Sequence, residues 1–98
     1  QDMLVANNWN VCQYAALVHL FAQASGLAAG ELVHVIADAH IYDRHVPLVL
    51  EMLGREPLPA PRLFVNPDVS DFYRFTRDDL RLEGYRFHTL LENIPVAV

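Results

Sequence analysis

Cysteine is almost absent: Cys12 stands alone among 98 residues. One thiol cannot form an internal disulfide, so the chain suits a reducing, cytoplasmic setting. Basic clusters are missing too, and the net charge is −5. That balance argues against a duplex-binding surface, and no nucleic-acid partner is expected. No apolar run reaches the ~20 residues of a membrane span. The charge-free interval from Met3 to Gly30 is broken by Asn7, Asn10, Gln13, His19, Gln23 and other polar residues. It reads as a buried helix, with no membrane partner. Internal repeats and low-complexity segments are absent. The first residue is Gln1, and no charged n-region or small-residue cleavage site accompanies it. Gln1 therefore reads as an internal cut, not the start of a signal peptide.

Apolar residues, by contrast, are plentiful. Hydrophobic types make up 53% and charged types only 19%. A chain of this size forms one domain at most, and its core is modest. The excess suggests part of something larger, with apolar surface meant for neighbours or a partner subunit.

Along the chain, Asn8 or Asn10 is placed to cap a helix over Val11–Ala24, which Ser25-Gly26 stops. Apolar residues on all its faces predict a central, buried helix. Alternation in Leu32–Tyr42 predicts a strand. Asp43–Leu53 reads as a short helix, with Pro47 tolerated only in its first turn. Three prolines stiffen Arg55–Pro61 into an extended connector. Arg62–Asn66 is a second strand and Ser70–Phe75 a helical turn. Thr76 and Asp79 stand at capping-box spacing. Leu80–Phe87 alternates as a third strand, and His88–Val98 is a tail. The class is α+β: an incomplete mixed β-sheet with one long buried helix.

The densest chemistry lies in Asp38–His45, which holds two Asp, two His, a Tyr and an Arg. Polar groups at the end of a rigid strand are held still, as ligand sites require. Metal is the first candidate, since His34, Asp38 and His40 share a strand face by their even spacing and Asp43 and His45 follow. No second ligand cluster, His-Glu-x-x-His motif or Cys pair supports it. Ordinary hydrogen-bonded histidines explain the pattern better, and no metal is expected. Cys12 is the second candidate, as a nucleophile near a helix start. No base stands near it in sequence, and it reads as a small core hydrophobe; His19 reads as a core histidine. Nucleobase recognition is the third. A side-chain amide offers a donor beside an acceptor, matching the edge of a uracil ring, and Asn10 can present one. The residues alone point to a small polar ligand held by Asn10 and the 38–45 stretch.

Four motifs in order narrow this. They are Gln1-Asp2 with Asn7-Asn8-Trp9-Asn10 and Tyr14-Ala15; Gly30 through Asp38-Ala39-His40-Ile41-Tyr42; Arg55-Glu56-Pro57 with Pro59; and Glu83-Gly84-Tyr85 leading to Pro95-Val96-Ala97-Val98. The series resembles the C-terminal part, about the last third, of bacterial thymidylate synthases, and the likeness covers residues 1–98. It is far more specific than any one motif.

The resemblance implies reductive methylation of dUMP to dTMP, with 5,10-methylenetetrahydrofolate as co-substrate and dihydrofolate as product. A cysteine thiolate adds to the pyrimidine, and the folate supplies both methylene and hydride. Gln1, Asp2, Asn10, His40, Ile41 and Tyr42 would form the dUMP side. Asn10 would read the uracil edge; relatives acting on cytosine nucleotides typically carry Asp there. His40 and Tyr42 would bond the ribose 3′-hydroxyl. Asp2, Ala97 and Val98 would meet the folate. The family's nucleophile lies in a Pro-Cys-His setting expected before Gln1, and Cys12 matches a non-catalytic helix position. The family is a homodimer, so this segment alone is expected to be inactive and poorly folded or self-associating. Two alternatives stay open: a pyrimidine-nucleotide hydroxymethylase, and a non-catalytic nucleotide-binding remnant.

Overall fold

A computed structural model describes residues 1–96. Its elements run α1 (Ala6–Ala24), a 3-10 turn at Asp43–His45, α2 (Val46–Leu53), β1 (Arg62–Val65), 3-10 turns at Phe72–Arg74 and Arg77–Asp79, and β2 (Leu80–Glu83). The class is α+β, as expected, but the sheet is smaller than expected. Among the described residues it has two strands, antiparallel, in the register Arg62↔Glu83, Leu63↔Leu82, Phe64↔Arg81 and Val65↔Leu80.

Helix α1 starts at Ala6, ahead of the expected Val11. Neither Asn8 nor Asn10 caps it; both lie inside the helix. Asp2 takes the capping work instead. Its Oδ1 accepts the Leu4 N–H at 2.9 Å and the Val5 N–H at 3.3 Å, and its carbonyl accepts the Asn7 N–H at 2.9 Å. A short carboxylate just before a helix satisfies amides that have no intrahelical partner. The other end behaves as expected. Gly26 adopts φ +68°, and the Leu27 N–H reaches back to the Ala22 carbonyl at 2.8 Å, closing the helix in the left-handed manner that favours glycine.

No residue of α1 is buried, contrary to the expectation of a central helix. Phe21 and Tyr14 are each more than half exposed, and Trp9 is 78% exposed. His19 and Cys12 are exposed as well, so neither is the core residue expected of it. The physical reason is a shortage of neighbours. The C-terminal end of α1 is held by two contacts: Phe21 stacks on Phe72 at 4.6 Å, and Gln23 Nε2 donates to the carbonyls of Asn66 and Val69 at 2.7 and 2.6 Å. The Cα radius of gyration is 16.3 Å, against about 13 Å for a compact domain of this length.

The expected strand at Leu32–Tyr42 is extended chain without a ladder. A strand exists through its pairing, and among the described residues the segment's one pairing is an isolated parallel bridge between Asp2 and His40. The third expected strand, Leu80–Phe87, ends at Glu83 because Gly84 turns the chain at φ +68°. The segment after it runs back along α2. Arg55 donates to the Thr89 carbonyl at 2.7 Å, and His88 Nε2 bonds the Glu56 carbonyl at 2.8 Å. Pro47 sits in the first turn of α2, where its missing N–H costs nothing.

Between β1 and β2 the chain satisfies itself. Asp79 Oδ2 accepts from the Thr76 N–H and hydroxyl, each at 2.8 Å, and Asp79 Oδ1 accepts from Asn66 Nδ2 at 2.8 Å. This is the capping box that the Thr76/Asp79 spacing predicts. The Asn66 amide, then the Thr76 N–H and hydroxyl, hold the Asp79 carboxyl below its ordinary value of 3.8.

Candidate functional site

The N-terminal turn and the extended 28–42 segment meet at the Asp2–His40 bridge. The His40 N–H donates to the Gln1 carbonyl at 3.1 Å, and the Met3 N–H donates to the His40 carbonyl at 3.0 Å. This crossing joins residues far apart in sequence and brings Asp2 beside His40, with Tyr42 next to the His40 ring. Gln1 is tied locally, its Nε2 donating to Asn7 Oδ1 at 3.3 Å.

From the bridge, three aromatic rings run inward. His40 meets Tyr42 edge to face at 5.1 Å, and Tyr42 meets His45 the same way at 5.5 Å. Such T-shaped contacts fix ring orientation. The alternation of an extended chain puts His40 and Tyr42 on one side, as their spacing predicts. Asp38 Oδ1 lies 3.5 Å from His40 Nδ1, too long for a strong hydrogen bond and too exposed for a strong ion pair. Ile41, between them in the alternation, is 43% exposed.

The Asn8 amide donates to the Leu4 carbonyl and the Asn7 amide accepts from Gln1. The half-buried Asn10 amide has no hydrogen bond among the described residues. Asp2 spends Oδ1 on the start of α1 and keeps Oδ2 uncommitted among the described residues. A carboxylate oxygen, an imidazole and a phenol at one crossing, and a donor–acceptor amide on the helix that Asp2 caps, are the group types that can read a sugar hydroxyl and a polar ring. Ala97 and Val98, the other residues expected at the folate, lie outside the described residues.

Sequence reasoning missed His45 as more than the start of a helix. It is only 2% exposed, and its Nε2 bonds the Pro95 carbonyl at 2.8 Å. No local pattern marks this, because the burying residues come from both ends of the chain. Among the described residues no three His, Cys, Asp or Glu side chains gather to hold a metal ion. Among those residues, too, no helix is long and apolar enough to cross a membrane.

Comparison with known proteins agrees on one family. The family described as "Thymidylate synthase" matches residues 1–98. The chain also superposes on the thermostable thymidylate synthase A of Bacillus subtilis with a TM-score of 0.94 and 41% identity, over 100% of this chain and 35% of that one. It thus spans about a third of that enzyme's length. A match across the whole chain, at this identity, shows that the chain belongs to the thymidylate synthase family, a family of methyltransferases.

Proposed function

We propose that these residues form the C-terminal, nucleotide- and folate-facing portion of a synthase that converts dUMP to dTMP. The match of residues 1–98 to the thymidylate synthase family carries this reading. Asn10 reads the uracil ring: its amide offers one donor and one acceptor side by side, the complement of the ring's amide edge. His40 and Tyr42 take the ribose 3′-hydroxyl, and Gln1, Asp2 and Ile41 border the nucleotide through their backbone. Asp2 Oδ2 faces the folate, with Ala97 and Val98 closing over it.

The residues present fit a folate. Asp2 has a carboxylate oxygen uncommitted among the described residues, suited to a ring N–H, on a side chain whose other oxygen anchors it to the start of α1. When bound, 5,10-methylenetetrahydrofolate supplies the one-carbon unit and the hydride. This chain's residues orient the pyrimidine and exclude water around it. The nucleophilic cysteine comes from outside these residues. Cys12, exposed on α1, has no part in the chemistry. The complete protein acts as a cytoplasmic homodimer, and the partner subunit and the rest of the fold cover the exposed apolar faces of α1 and the 31–37 segment.

A chimera tests this. Residues 1–98 replace the matched segment of the Bacillus subtilis enzyme, and the product is identified by mass. The expected product is dTMP with dihydrofolate, while the isolated 98-residue chain makes none. A hydroxymethylated product would move the reading to a hydroxymethylase. A chimera that folds and binds dUMP but makes neither product would leave a non-catalytic remnant.

A further inference from the structure

We infer that His45 is a positioning residue for the nucleotide side of the site: its tethered ring sets the plane of the Tyr42 ring, and with it the aim of the phenol. This rests on the functional reading above, in which Tyr42 takes the ribose 3′-hydroxyl.

Tyr42 has little of its own to hold it. It is 41% exposed, and its hydroxyl makes no hydrogen bond among the described residues. Its ring meets two others edge to face, His40 at 5.1 Å and His45 at 5.5 Å. The His40 side chain is itself partly exposed, so it is a poor fixed point. His45 is a good one, at 2% exposure. Its backbone N–H donates to the Tyr42 carbonyl at 2.8 Å. Its Nε2 lies 2.8 Å from the Pro95 carbonyl, 50 residues away in the chain. A carbonyl only accepts, so Nε2 carries the hydrogen. His45 therefore meets Tyr42 through both main chain and ring while its far side is anchored elsewhere.

Packing alone does not account for an imidazole here. A phenylalanine would fill the space without burying nitrogen, whereas His45 buries Nδ1 with no hydrogen-bond partner, which costs stability. The return is at Nε2. A cavity of about 350 Å³ lined by Val5, His45, Ile94, Pro95 and Val96 lies beside the ring. Next to a void, van der Waals contacts leave the tilt of a ring open. A directional hydrogen bond closes that freedom. The fixed tilt of His45 then passes to Tyr42, because an edge-to-face pair sets the relative orientation of its two rings.

The test measures equilibrium binding of dUMP and of its 3′-deoxy analogue to the chimera. The ratio of the two Kd values isolates the 3′-hydroxyl contact. In the unsubstituted chimera the analogue binds about tenfold or more weakly. His45→Phe keeps the ring and loses the tether: the ratio falls about threefold or more, while the analogue's own Kd moves less than about twofold. In a Tyr42→Phe background, with no phenol to aim, His45→Phe changes the ratio by less than about 1.5-fold. His45→Gln keeps a donor for Pro95 and loses the ring, and its ratio also falls about threefold or more. Should His45→Phe bind neither nucleotide, His45→Gln decides by the same criteria. Equal weakening of both nucleotides (loss of both by both variants included), an unchanged ratio, or a full effect of His45→Phe without the phenol would each overturn the inference alone. An unsubstituted chimera that binds both nucleotides alike would instead sink the reading of Tyr42 as a ribose contact, and the inference with it.

Discussion

Two corners of this molecule are built from similar side chains and behave in opposite ways. In the β1–β2 connection, Asn66, Thr76 and Asp79 close on one another, and Gln23 adds two bonds from α1. Both carboxylate oxygens of Asp79 are used. Around the Asp2–His40 crossing the described residues leave one Asp2 oxygen uncommitted and the buried His45 Nδ1 without a hydrogen bond, and Asn10 on α1 likewise has no partner among them. The first corner spends its polarity on holding a turn. The second leaves polarity unspent, and under the proposed function that polarity is available to a ligand. An amide or carboxylate thus declares its role by what it leaves unbonded, not by its type.

Substitution can break or sharpen this contrast. The largest effect is expected at Asn10. In the chimera, Asn10→Asp replaces the donor half of the amide with a second acceptor, facing an acceptor on the uracil ring. Turnover of dUMP should fall about a hundredfold or more, with Tm changed by no more than about 3 °C. A large fall in Tm with little loss of turnover would place Asn10 with the structural corner.

Thr76→Ala should do the reverse. It removes the hydroxyl from the capping box, and denaturant unfolding should show a loss of about 1 kcal/mol. Turnover should stay within about twofold. A selective loss of turnover would erase the distinction between the two corners.

A smaller effect is expected from acid. The folded-state Asp79 carboxyl lies below its ordinary 3.8, so the unfolded chain binds its proton first as pH falls. The stabilisation is therefore complete above the unfolded value and is lost as pH drops through the lower folded value. Stability measured against pH should decline more steeply below about pH 4 in the chimera than in its Asp79→Asn variant. Parallel curves would show that the carboxylate contributes nothing there.

The same contrast explains what the sequence made legible. Thr76 and Asp79 were readable because a capping box is a local device, complete within one turn. Gly26 at the end of α1 and Pro47 at the start of α2 were readable for the same reason. The Leu32–Tyr42 strand was misread because alternation reports only a tendency to extend; pairing needs a neighbour, and among the described residues this segment has one bridge, to Asp2. Asn8 and Asn10 were misread as caps because the capping acceptor is Asp2, placed ahead of the helix by a turn that the pattern does not announce. The burial of α1 was misjudged because an all-round apolar helix reports the surroundings it suits, not those a third of an enzyme's length provides. At the site, His40 and Tyr42 could be paired from strand geometry, while His45 could not, since the residues that enclose it come from opposite ends of the chain.

A crystal structure of the chimera with dUMP tests the central claim most directly. The account predicts the Asn10 amide within hydrogen-bonding distance of the uracil edge, with His40 and Tyr42 on the ribose 3′-hydroxyl. A nucleotide bound elsewhere, or an Asn10 amide turned onto protein groups with dUMP in place, would contradict it.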